Sequence, residues 1–367
     1  MGGDLLLPIH MNSNLVNRLV LASVRRQALP IATYPGMVLA GATVQNVVSD
    51  AQVQFEIQAA LHQRHQTPFV LTAMDLSAEA EAFGCEIFQP ENEIPSVTGR
   101  LVTSREQADN LPVPAPGDGR TRVYLEAAGR LRQMADHPLV LGGCIGPFSL
   151  ASRIVGVKEA MELTVLEPDL IHVVLEKCTR FLGAYIQAFR EAGADGVIMA
   201  EPAAGLLSPR SLSQFSSAYI RQIAATVADG RFAFILHNCA ARIVHLPAIL
   251  ETGLSTFHFG APMDLAAALG KVPRDVVLCG NLDPAAVFCH TTPADMAAHT
   301  QALLAATAAF PNFVISSGCD VPPDSPLANL DAFYGAVRAF NSTRADEPRT
   351  EVVLPIPGSG AHLPRSS

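Results

Sequence analysis

The sequence predicts an α/β protein of the (β/α)8 barrel class, the TIM-barrel architecture. Three features of its 367 residues carry that prediction: eight short apolar runs, longer helix-like stretches between them, and polar residues gathered where the runs end. Runs with little polar alternation are how parallel strands buried on both faces read. Strands alternating with helices close most simply into a barrel. A doubly wound sheet is the alternative, but no Gly-rich dinucleotide turn follows the first run.

The eight expected strands are Pro30–Tyr34, Phe69–Met74, Leu139–Cys144, Gly196–Ala200, Phe232–Leu236, Thr256–Phe259, Val276–Cys279 and Phe313–Ser316. Among the helices, 44–64 is amphipathic and 168–192 carries Pro near its start, where a helix tolerates it. The stretch 209–228 follows a Ser208-Pro209 start signal, and 243–252 stops at Gly253. The stretches 293–310 and 327–340 complete the set. Residues 84–118 break the rhythm with two short strand-like pieces and a Pro/Gly-rich connection. They read as an insertion after the second strand, over the barrel mouth. A single domain, 1–341, is expected, with 342–367 as a flexible tail rich in Pro, Ser, Arg and Gly.

A net charge of −9 argues against a nucleic-acid partner, which a basic stripe would mark. No run approaches the ~18 apolar residues of a membrane span. No Lys/Arg-rich start marks a secretory signal. Seven cysteines, an odd number without a CxxC pair, fit a reducing cytoplasm. Cys85, Cys144, Cys178, Cys279 and Cys289 read as buried thiols, and His62 and His65 as solvated helix residues.

Polar residues follow five of the strands: Asp75, Glu201, His237-Asn238-Cys239, Asn281 with Asp283, and Cys319-Asp320. In a barrel these ends form the active-site face. Side chains two apart on a strand point the same way, so His237 and Cys239 can both face the axis. Cys319, after the last strand, can complete a His-x-Cys…Cys set. Zinc takes imidazole and thiolate ligands, and a catalytic zinc keeps three protein ligands and one open position. Spacing alone equally allows His237 to end a strand and both cysteines to be small core residues.

The surrounding motifs resemble the uroporphyrinogen decarboxylase-like superfamily, and within it the zinc methyltransferases that take a methyl group from a methylcorrinoid protein. The stretches that carry this are Ala73-Met74-Asp75, Glu79 to Gly84, Gly146 to Ala151, Glu201-Pro202-Ala203 and His237-Asn238-Cys239. Gly280-Asn281-Leu282-Asp283-Pro284 and Ser317-Gly318-Cys319-Asp320-Val321-Pro322-Pro323 complete them. The resemblance implies a barrel with zinc on His237, Cys239 and Cys319. The decarboxylase itself is a poorer match: Arg25-Arg26-Gln27 precedes a neutral segment, and that enzyme lacks these zinc ligands.

The expected activity is methyl transfer from a methylcorrinoid (methylcobamide) to a zinc-activated thiol such as coenzyme M. The thiolate is the nucleophile, and zinc coordination removes its proton. No DxHxxG corrinoid-binding segment is present, so the corrinoid is expected on a separate partner protein. Homocysteine or tetrahydrofolate as acceptor, a metal-free decarboxylase and a non-enzymatic tetrapyrrole carrier are the alternatives. Glu201, where the family often has Asp, is expected near the zinc as a resting ligand or proton acceptor, or as a helix cap. Asp75 and Asp283 are expected to line the mouth or hold loops. His258, in a strand end that is often Asp-containing in the family, is a candidate substrate contact or a hydrogen-bonded wall residue.

Overall fold

In the computed structural model, which describes residues 14–227 and 229–343, the apolar runs lie side by side. The strands are, in chain order, β1 Phe69–Leu71, β2 Glu86–Phe88, β3 Ser96–Thr98, β4 Leu139–Ile145, β5 Gly196–Ala200, β6 Ala233–Asn238, β7 Thr256–Phe259, β8 Val277–Leu282 and β9 Phe313–Ser317. β1, β4, β5, β6, β7, β8 and β9 form one parallel sheet in that order, with helices between successive strands. This is the curled sheet of a (β/α) barrel. β2 and β3 form the hairpin of the insertion, antiparallel with Ile87 opposite Val97.

Period-two alternation builds two cores at once. Along β6, Ala233 and Ile235 point into the barrel with Ile198, Val277 and Val314, while Phe234 and Leu236 pack outward against the helices. The helix Leu15–Leu21 adds Val16 and Val20 to the interior cluster. Asn14 and Asn17 tie that helix to the starts of β7 and β8, through Ser255, Thr256 and the Asp275 carbonyl. It therefore plugs the end opposite the mouth.

The first expected strand is corrected. Pro30–Tyr34 makes no ladder, because Pro30 has no N–H to donate and Pro35 opens a 3-10 turn, Tyr34–Gly36. One bridge, Ala28 to Ile315, aligns the segment with β9. Further on, the Ile31 amide donates to Ser317 Oγ at 3.0 Å. On its other side, two glutamines of the helix Ala51–His65 stand in for a neighbouring strand. Gln58 donates to Thr33 Oγ1 and accepts from the Leu71 amide, and Gln54 accepts from the Ala73 amide. Backbone donors on this edge of β1 are thus satisfied by side chains.

Helix limits shift where caps intervene. The expected 44–64 helix is two, Val44–Ser49 and Ala51–His65, because the extended Asp50 caps the second through the Gln52 amide. His62 and His65 are buried rather than solvated: His62 meets Asp136 at 2.5 Å, and His65 stacks on Tyr334. Cys289 is half-buried, unlike Cys85, Cys144, Cys178 and Cys279. Most of the expected tail, 344–367, lies outside the described residues. Among the described residues no helix is long and apolar enough to cross a membrane.

Candidate metal centre

Inward alternation on β6 continues past Ile235 to His237, and then to Cys239 just beyond the strand. Cys319 follows the end of β9 after one residue, Gly318. Their donor atoms all lie within 4.8 Å of one another, so three residues from two strand ends converge on one point. The approach of the β6 and β7 loops is tight: a Cβ on Gly260 would sit 2.1 Å from the Cys239 carbonyl oxygen. Only glycine fits there. Asn281 holds the same loop by donating to the carbonyls of Gly260 and Met263, at 2.9 and 2.6 Å.

His237 is 2% exposed. Its Nδ1 lies 2.8 Å from His258 Nδ1, and its Nε2 is buried with no protein partner. A buried, unpaired ring nitrogen beside two thiols is what a tetrahedral metal site presents when read from the protein alone. The electrostatics agree with that chemistry. A hydrogen bond from the Cys319 thiol, followed by the His237 contribution, pulls Cys239 down to about 4 against the effect of burial. Cys319 moves the other way, raised by the same hydrogen bond and then by burial.

The cavity above these residues holds about 170 Å³. Ile31, Met74, Leu76, Ala200 and Pro202 wall it, and Ile94 and Pro95 reach it from the loop of the β2–β3 hairpin. Its charged lining residues are Arg153 and Asp320. Burial raises the Asp320 carboxyl well above the usual range. Arg153 makes no hydrogen bond or ion pair among the described residues, and burial is the main influence lowering its pKa.

The remaining expected site residues stand elsewhere. Glu201 is 1% exposed but turns to the start of the helix Pro147–Val155. It accepts from the Phe148 and Ser149 amides at 2.8 Å each and from Ser216 Oγ at 2.9 Å. The carboxyl sits on helix N-terminal donors with no oxygen left for the cavity, and burial raises it above its ordinary value against the pull of those hydrogen bonds. The helix it serves follows β4, not β5. Asp75 forms an ion pair with Arg120 and also accepts from Tyr124 and Ser77, so it anchors the insertion side of the barrel. Asp283 accepts from the Ala285 and Ala286 amides and caps Pro284–Cys289. His258 is fully buried behind His237, and its two nitrogens face His237 and Ser316. None of these four lines the cavity.

Sequence reasoning missed Arg153. Its signal was a lone Arg inside the apolar helix segment Pro147–Val155, two residues past a motif already singled out.

The family model described as uroporphyrinogen decarboxylase (URO-D) matches residues 16–340. The methylcobamide:CoM methyltransferase MtbA of Methanosarcina mazei is 30% identical over 312 residues, covering 84% of this chain and 90% of the relative. A uroporphyrinogen decarboxylase of Psychromonas ingrahamii is 28% identical over 274 residues, covering 71% and 76%. Among solved structures, a methyltransferase from Methanosarcina mazei superposes with a TM-score of 0.80 at 24% identity, covering 89% of this chain and 99% of that one. That superposition shows the fold.

Proposed function

The chain belongs to the uroporphyrinogen decarboxylase family, in its methyltransferase branch, and we propose that it is a zinc-dependent enzyme moving a methyl group from a methylcorrinoid protein to a small thiol. The observation that carries this is the convergence of His237, Cys239 and Cys319 below a cavity, with His237 Nε2 buried and unpaired. Those residues fit zinc in donor type, number and mutual distance. When bound there, zinc would take the place of the proton on an incoming thiol and keep its sulfur as a nucleophile at neutral pH.

The chain's own residues do the rest. Arg153 supplies an unpaired guanidinium to a cavity otherwise mostly apolar, which suits an acceptor carrying a sulfonate or carboxylate. The walls of Ile31, Met74, Leu76 and Pro202 exclude water around the sulfur. In the transfer, the sulfur–carbon bond forms as the methyl–cobalt(III) bond breaks, its electron pair stays on cobalt as Co(I), and the thiol proton is released. The cavity is smaller than the roughly 300 Å³ of a drug-sized ligand site. The corrin therefore meets the mouth while the acceptor fills the interior. Leu206 and Val244, exposed on the segments that directly follow β5 and β6, belong to the strand-end side of the barrel and support docking of a partner protein there. All seven cysteines are free thiols, which suits a reducing cytoplasm.

A metal-free decarboxylase of a polycarboxylate would need several cavity arginines, and one lines this cavity. The test supplies methylcobalamin to the zinc-loaded protein with coenzyme M, homocysteine, 2-mercaptoethanol or tetrahydrofolate. An anionic thiol is expected to be methylated fastest. Methylation of tetrahydrofolate alone would move the assignment to the folate branch, and loss of CO2 from uroporphyrinogen would return it to the decarboxylases.

A further inference from the structure

We propose that Ser316 and His258 form a relay that fixes His237 as its Nδ1–H tautomer and so commits His237 Nε2 to the metal. The inference rests on the zinc reading above, but its first test does not use zinc.

The geometry begins with register. His237 on β6 and His258 on β7 are direct neighbours in the parallel ladder. Their rings therefore emerge side by side on the inner face, centroids 4.7 Å apart and edge to face. His258 Nδ1 meets His237 Nδ1 at 2.8 Å, and His258 Nε2 meets Ser316 Oγ at 2.7 Å. Ser316 Oγ in turn donates to the Leu29 carbonyl. His258 and Ser316 are both fully buried.

Proton counting gives the chain a direction. A carbonyl oxygen only accepts, and a serine has one hydroxyl proton. Ser316 gives that proton to Leu29, so it must accept from His258 Nε2–H. A neutral His258 then carries no proton on Nδ1 and can only accept there. His237 Nδ1 must be the donor, which leaves a bare lone pair on Nε2, the atom that is buried without a partner. Reversing the His–His bond would need both protons on His258. That would bury an imidazolium, with no carboxylate among its hydrogen-bond partners.

Ligating histidines usually donate the other ring N–H to a carboxylate, a carbonyl or water, and that partner sets which nitrogen binds. Here a second imidazole takes the part. His258 and Ser316 are positioning residues, acting on the metal only through His237.

The test is two-bond proton–nitrogen NMR on zinc-free protein carrying 15N-histidine. His237 is expected with Nδ1 protonated and Nε2 bare, and His258 with the opposite pattern. A His237 protonated on Nε2 would overturn the relay. Zinc affinity measured by chelator competition follows. His258→Phe is expected to weaken zinc by about 10- to 100-fold. His258→Asn, whose amide oxygen can still accept from Nδ1–H, is expected to recover much of that loss. Ser316→Ala, a smaller change at the far end, is expected to mix the His258 tautomers and weaken zinc severalfold. Unchanged zinc affinity in His258→Phe would also overturn the relay, as would a loss in His258→Asn as large as that in His258→Phe. If the wild-type protein binds no zinc, the zinc reading fails, while the NMR pattern still decides the relay.

Discussion

Glu79 offers a quantitative test of how the barrel is held together. It lies in the short helix Ala78–Ala82, 1% exposed. One carboxylate oxygen accepts from the Ile145 amide at 2.9 Å, and the other is buried without a partner. Burial pushes its carboxyl from an ordinary 4.5 up to about 8. In the unfolded chain the same group releases its proton near 4.5. Between those values the folded state holds a proton that the unfolded state has lost, so stability falls as pH rises. Below the lower value the contribution vanishes, and above the higher one it is complete. At about 1.4 kcal/mol for each pH unit of separation, the full effect is on the order of 5 kcal/mol. Glu79→Gln keeps the carbonyl acceptor for Ile145 and removes the titration. Urea unfolding of zinc-free wild type and variant from pH 5 to 9 measures the difference, in which the cysteine contributions cancel. The curves should nearly meet at pH 5, and the variant should be several kcal/mol more stable at pH 9. Parallel curves across that range would refute the reasoning.

Other consequences are direct. Arg153→Gln should raise KM for an anionic thiol by roughly 10- to 100-fold, the scale of one lost charge-assisted bond of about 1.5–3 kcal/mol, and leave an uncharged thiol little affected; equal effects on both would remove Arg153 from acceptor recognition. Gly260→Ala should displace the Cys239 backbone and weaken zinc while the far end of the barrel stays folded, which chelator competition and circular dichroism together would report. Asp75→Ala leaves the mostly buried Arg120 with only the partly exposed Glu81 as a carboxylate partner and unpairs the Tyr124 hydroxyl, and should cost about 1–3 kcal/mol in urea unfolding; no measurable loss would mean that Glu81 and Ser77 alone satisfy Arg120.

Much of the fold was legible because burial on two faces leaves a local mark. Seven of the eight expected runs are strands of the sheet, and Val276–Cys279 and Phe232–Leu236 needed only small shifts of their ends. The convergence of His237 and Cys239 was also local, since alternation on one strand sets it. Pro30–Tyr34 misled because apolar character predicts burial, whereas a ladder also needs donors that Pro30 lacks. Partners contributed by distant elements were not legible. Nothing in the order of residues says that Glu201 turns back to the helix Pro147–Val155, but Gly146 records it: a Cβ there would lie 2.5 Å from the Glu201 carboxylate. His258 was visible as a polar residue in an apolar strand, yet only the β6–β7 register places its ring against His237 rather than in the mouth.

Zinc content per chain, measured on the purified protein and on Cys239→Ala, tests the central claim most directly. The account predicts about one zinc per chain in the wild type and its loss in the variant, with the barrel still folded. A wild type without zinc after exposure to it, or a variant that keeps a full complement, would contradict the assignment of His237, Cys239 and Cys319 as the metal centre.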